Sequence, residues 1–241
     1  MNNKNPTKSF CSLFTKITLI IFLIIFESCQ GQVYDENIVD LKSFNLKTNI
    51  SKFYAKSLNR ENIKITNENQ YIVKDTITEY DIDWNGNRDE IFGTHYRVIS
   101  YSESDTVAKY SNVNFFLVES MVNEQNELMI LNAKTESNSN KINKLISDLN
   151  IEFNKKPEIN QNDSGFFYYR ILTWRNESKL VKLVTDVKLD FSNIEIDEDS
   201  KEAITKIDKN DLNNSILYIC KPKFEQKLLG KVGIGNWSRF K

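Results

Sequence analysis

Glycine, proline, cysteine and histidine are all scarce in this chain: 7, 3, 3 and 1 among 241 residues. Each shortage excludes something. Cys11 and Cys29 both fall within the first 29 residues, so Cys220 is left alone in the remainder and no internal disulfide can form there. One histidine and one further cysteine leave little for a zinc or iron centre, which draws several ligands from those two types. The few glycines form no P-loop and no Rossmann fingerprint, and neither G-x-S-x-G nor H-E-x-x-H occurs. His95 has no serine or cysteine nucleophile in a recognisable motif beside it, and reads as a structural or surface histidine. No catalytic residue is assigned.

Charge of one sign is also missing. The chain carries a net −1. Lys4, Lys8, Lys16 and Glu27 give the first 28 residues +2, which leaves −3 for the remainder. There is no basic stripe of the kind that binds nucleic acid. The acidic run Glu195–Asp199 reads as a solvated loop ahead of a helix.

What is present is a strongly patterned beginning. Three lysines precede Ile17–Phe26, a run of ten residues in which Thr18 alone is polar. A charged segment, a short apolar segment and a small residue describe a secretory signal. The run is too short for a bilayer, which takes about 20 apolar residues. Phe26-Glu27-Ser28-Cys29 closes it and resembles the lipobox of bacterial lipoproteins. Ser28 fits that pattern, Phe26 stands where leucine is usual, and Glu27 departs from it. The resemblance implies removal of residues 1–28, lipid on Cys29, and a short tether over residues 29–37. The alternatives are ordinary secretion with cleavage near Gly31, or an uncleaved anchor. Gln30-Gly31-Gln32 lacks the acidic residues that mark surface export in some bacteria, so the expected address is the outer membrane, facing the periplasm.

The rest of the chain is 40% hydrophobic by whole-chain composition and 12% aromatic, enough to build a core. Ile50, Phe53, Tyr54, Ser57 and Leu58 have helical spacing. Five strands are expected at 62–66, 71–80, 90–101, 113–119 and 127–133, separated by polar turns, as an antiparallel meander. Ser137–Asn140 reads as a polar break, followed by a helix over 141–153 with Ile142, Leu145, Ile146, Leu149 and Phe153 as one stripe. Residues 165–175 and 178–188 form a hairpin turning on Asn176-Glu177, where asparagine tolerates positive φ. A short helix over 200–207 and a strand over 215–220 complete the pattern. The expected class is α+β: antiparallel sheets with one or two packing helices, arranged as two similar halves, 38–136 and 141–241, in one domain or two.

One constellation looks like a site. Asp81, Asp83, Asn85, Asn87 and Asp89 alternate along the chain, with Gly86 at the sixth position. The pattern resembles the D-x-D-x-N-G-x-x-D loops of EF-hand-like and FG-GAP calcium sites. That resemblance implies a Ca²⁺ ion held by Asp81, Asp83, Asn85 and Asp89 with the Asn87 carbonyl. The plain alternative is a hairpin turn, for which Asp, Asn and Gly are the usual residues. Apart from this ion no cofactor is implied. Phe166–Tyr169 with Trp174 reads as core, with a ligand groove as the alternative. The sequence therefore points first to a lipid-anchored envelope protein that binds a protein or glycan. An envelope hydrolase using carboxylates and an immunity or inhibitor lipoprotein are the alternatives.

Overall fold

Strands 128–138, 180–186 and 212–220 are buried at nearly every position, where a sheet open on one side would alternate. The computed structural model supplies the reason: both faces of the sheet are covered. It describes residues 32–34, 36–58, 71–83, 85–162, 169–186, 212–230 and 237–240. The expected strand 62–66, the helix 200–207, Phe166–Tyr168 and Cys29 lie outside them. Val33–Lys241 is one compact unit. Among the described residues no helix is long and apolar enough to cross a membrane.

The strands are β1 (Val39–Asp40), β2 (Tyr71–Thr78), β3 (Ile91–Ser100), β4 (Ala108–Tyr110), β5 (Val113–Phe115), β6 (Leu117–Val122), β7 (Leu128–Asn138), β8 (Glu158–Asn162), β9 (Tyr169–Arg175), β10 (Leu180–Asp186) and β11 (Leu212–Cys220). Eight make an antiparallel sheet in the order β2-β3-β6-β7-β11-β10-β9-β8. β1, β4 and β5 make a small second sheet, in which β1 and β4 run parallel. The short helices α1 (Ile50–Phe53) and α2 (Ala55–Leu58) precede β2, α3 (Glu79–Ile82) follows it, and the 15-residue α4 (Ser139–Phe153) joins β7 to β8. A 3₁₀ turn, Pro222–Phe224, leads into α5 (Glu225–Leu228).

The strand order is symmetric about its centre. A helical segment precedes four strands that step inward from one edge, β2 to β7. A second helix precedes four that step inward from the other, β8 to β11. The two last strands meet and pair over nine positions, from Leu212↔Asn138 to Cys220↔Ile130. The two runs of four strands are therefore halves of one sheet. Ser137 is not a break between them, since it lies in β7 opposite Asn213. The chain passes directly from strand to helix at Asn138, whose side chain caps α4 by accepting from the Lys141 N–H at 3.0 Å.

Alternation along β11 separates the two cores. Leu217 and Ile219 join Ile50, Phe53, Tyr54, Leu145, Leu149 and Trp174 beneath the helices and the small sheet. Ile216, Tyr218 and Cys220 join Ile130, Val184, Phe224, Leu228, Trp237 and Phe240 on the other face. The C-terminal segment thus covers the side that a two-layer antiparallel sheet would leave to water.

Four details differ from the sequence reading. The strand 113–119 is two strands, because Phe116, only 2% exposed, turns its N–H to the Lys134 carbonyl and sends β5 into the small sheet. The helix 50–58 is interrupted at Tyr54, whose hydroxyl reaches the Val118 carbonyl and Ser120 Oγ. β1, β4 and β8 are additional strands, short or polar enough to lack an apolar signature. The β9–β10 turn does not use positive φ at Asn176. The side-chain oxygen of Asn176 instead accepts from the N–H groups of Ser178 and Lys179 at 2.9 and 2.8 Å. Positive φ falls at Ser111, Asn126, Asn154 and Gly230. One glycine is required by space within the sheet: a Cβ on Gly93 would stand 2.2 Å from the Val122 carbonyl oxygen on β6.

Candidate functional site

The aspartate-rich loop lies at the end of β2. Asp81 sits in the first turn of α3 and accepts from both the N–H and the hydroxyl of Thr78 at 2.7 Å. Asp83 accepts from the Asn85 N–H at 3.0 Å, and the Asn87 side-chain oxygen from the Asp89 N–H at 3.0 Å. These are Asx-type turns, in which an oxygen holds its own backbone two residues on. Gly86 donates to the Asp83 carbonyl at 2.7 Å, and a Cβ there would stand 2.5 Å from the Glu79 carbonyl oxygen. Among the described residues no group of three or more acidic, histidine or cysteine side chains is placed to hold a metal ion. Asp81, Asp83 and Asp89 are all described, and no such group includes them.

Convergence occurs elsewhere, at the end of the sheet where β7 begins and β9, β10 and β11 turn or end. Pairing of Leu180 with both Arg175 and Cys220, and of Cys220 with Ile130, brings three segments side by side: the Asn176–Lys179 turn, Lys221–Lys223 and Glu127. The loop after β1 adds Phe44, Leu46 and Lys47. Together they line a groove of about 530 Å³, within the usual size range for small-ligand sites.

Lysines dominate its polar lining. Lys221 and Lys223 both reach Glu127, each at 2.7 Å. Lys221 is only 16% exposed, whereas Lys223 is 59% exposed. The hydrogen bond from Lys221, then that from Lys223, holds the Glu127 carboxyl below the usual glutamate range. Lys179 donates to Glu152 at 3.1 Å and to the Lys42 carbonyl at 3.3 Å. Glu152 also accepts from the Tyr110 hydroxyl, whose pKa is raised first by burial. Among the described residues the Lys47 ammonium has no partner. Phe44, Leu46 and Pro222 make the apolar part of the wall.

A second polar cluster is closed. His95, 5% exposed, accepts from the Trp237 indole N–H at Nε2, 3.0 Å away. Indole can only donate, so that nitrogen is unprotonated in this arrangement. Glu119 lies 3.7 Å from the same nitrogen and accepts from the Val98 N–H at 3.1 Å and from Asn132 at 3.3 Å. β3 and β6 pair only from Thr94 to Tyr96, so the Glu119 carboxylate serves the Val98 N–H beyond the point where the strands part. Among the described residues the buried Asn132 side-chain oxygen has no hydrogen-bond partner. Through the Trp237–His95 hydrogen bond this cluster ties the C-terminal segment to the sheet. Tyr169 and Trp174, at 5% and 0% exposure, are core. Cys220 is fully buried, and burial pushes its thiol up to about 12, which disfavours the thiolate.

Sequence reasoning missed the groove because its lysines come from three separate stretches and their shared carboxylate, Glu127, from a fourth. Only Lys221-Pro222-Lys223 offers a local signal. Comparison with protein-family models, with curated proteins and with solved structures returns no match.

Proposed function

We propose that the chain is a lipid-anchored protein of the bacterial cell envelope, held through Cys29 at the outer membrane and facing the periplasm, with a binding role seated in the lysine-lined groove. The anchor rests on the lipobox-like end of the signal. The binding role rests on one observation: a groove of ligand size in which charged side chains from four segments meet over an apolar wall. A carboxylate hydrolase draws no support from this groove. Of its two acidic residues, Glu127 is tied to two lysines with its pKa lowered, the wrong direction for a general acid. An inhibitor surface would gather exposed aromatic side chains, and among the described residues Tyr101 is the one exposed large aromatic.

Two measurements test the proposal. Cys29→Ser should release the protein from membranes and abolish labelling by a fatty-acid analogue; unchanged fractionation with no lipid on the wild type would overturn the anchor. Affinity capture from envelope extract should recover a ligand that is lost when Ser178→Trp fills the groove. A ligand retained equally by both would place binding elsewhere.

A further inference from the structure

We infer that the groove takes an anionic ligand, one bearing carboxylate or phosphate groups beside an apolar portion, and that the Glu127 carboxylate occupies the ligand's anionic position when the groove is empty. This rests on the reading of the groove as the binding seat. Its first support is charge. Lys47, Lys179, Lys221 and Lys223 against Glu127 and Glu177 give the lining +2, whereas the chain beyond residue 28 is −3. The groove is thus locally opposite in sign to the protein that carries it, and such a patch steers anions toward itself.

The second support is how the cations are arranged. Two ammonium groups share the single Glu127 carboxylate, and Lys47 has none among the described residues. One carboxylate facing two lysines leaves one positive charge uncompensated. Lys221 is largely withdrawn from water, so the partner it keeps matters more than that of an exposed lysine. An incoming anion can take the place of Glu127, whose side chain is one-third exposed. The third support is the kind of cation. The lining has lysines and no arginine. Lysine acts as a point charge and imposes no planar two-pronged geometry, so it accepts phosphate and carboxylate alike. Phe44, Leu46 and Pro222 provide contact for an adjoining apolar part.

The test uses full-length protein in neutral detergent and titration calorimetry with two probes, inorganic pyrophosphate and tricarballylate. Wild type should bind at least one of them, and the preferred probe distinguishes phosphate from carboxylate chemistry. Lys47→Gln with Lys223→Gln should weaken binding about tenfold or more, and added salt should weaken it further. Glu127→Gln should tighten it several-fold, because the internal competitor loses its charge; a misfolded variant cannot produce that gain. Absence of binding of either probe by wild type at millimolar concentration would overturn the inference, as would a Glu127→Gln protein with unchanged or weaker affinity. If neither probe binds but envelope capture still depends on an open groove, the charge assignment fails and the binding proposal stands.

Discussion

The Asp81–Asp89 loop and the lysine groove are both turns at strand ends crowded with charge, and they use that charge in opposite ways. In the loop each oxygen serves a neighbour within three residues: Asp81 serves Thr78, Asp83 serves Asn85, and Asn87 serves Asp89. In the groove the partners are distant in sequence. Lys221 and Lys223 reach Glu127 across 94 and 96 positions, and Lys179 reaches Glu152 across 27. Charge engaged locally shapes the backbone. Charge brought together from several segments is positioned by the fold and contributes little to it.

Substitutions can break this contrast. The largest effect should follow Gly86→Ala. Its Cβ would meet the Glu79 carbonyl oxygen at 2.5 Å, and the backbone must move, at a cost of about 1–3 kcal/mol by analogy with overpacked sites. Urea melts should show it, and anion binding at the groove should be unaffected. Asp81→Ala comes next. It removes the acceptor for two donors at the start of α3 and should cost about 1 kcal/mol, as other lost helix caps do. Lys223→Gln should cost less than about 1 kcal/mol, because exposed ion pairs contribute little, while it weakens anion binding. If Lys223→Gln proved more destabilising than Asp81→Ala, the division between shaping and binding charge would be wrong.

The acid limb of stability sharpens the comparison at a smaller scale. The Glu127 pKa is depressed in the folded protein, so the unfolded chain binds its proton more readily. The group's contribution is thus present above the ordinary glutamate range and is lost as pH falls through the lower folded value. Glu127→Gln should flatten the decline of melting temperature below about pH 4.5; an unchanged slope would mean that the two lysines do not hold the carboxylate in solution. The smallest expected effect is that of calcium. With Asp81, Asp83 and Asn87 engaged by backbone donors, millimolar Ca²⁺ should leave the melting temperature unmoved. A rise that Asp83→Ala abolishes would show that the loop can rearrange around an ion, with stabilisation of about 2.7 kcal/mol at a hundredfold excess over Kd.

Much of the frame was legible in the sequence, and the reasons are local. The α4 stripe gave a helix because Ile142, Leu145, Leu149 and Phe153 recur at helical spacing, and they are buried in one core. The apolar hairpin of β9 and β10 announced strands covered on both faces. Polar β8 and three-residue β4 had no such periodicity, and their pairing depends on neighbours that no local window contains. The junction at Ser137 was misread because polar residues usually mark a boundary. Here Thr135 Oγ1 hydrogen-bonds both the Asn114 carbonyl and Ser137 Oγ, which makes a polar strand end tolerable inside the sheet. The groove was illegible for the same reason as β8: contacts distant in sequence create it.

The symmetric strand order bears on how the molecule assembles in time. Within β2 to β7 and within β8 to β11 the pairs are successive antiparallel neighbours, and the widest of them, β10 with β11, joins residues 30 to 40 positions apart. The central junction is different, because it joins residues 74 to 90 positions apart, from Asn138↔Leu212 to Ile130↔Cys220. Closing so long a loop costs entropy before any ladder bond compensates it. The hairpins can therefore form early, while the β7–β11 seam closes late. Until it closes, β7 and β11 each present a long apolar strand edge to other chains, and the period before closure is when this protein is most exposed to aggregation.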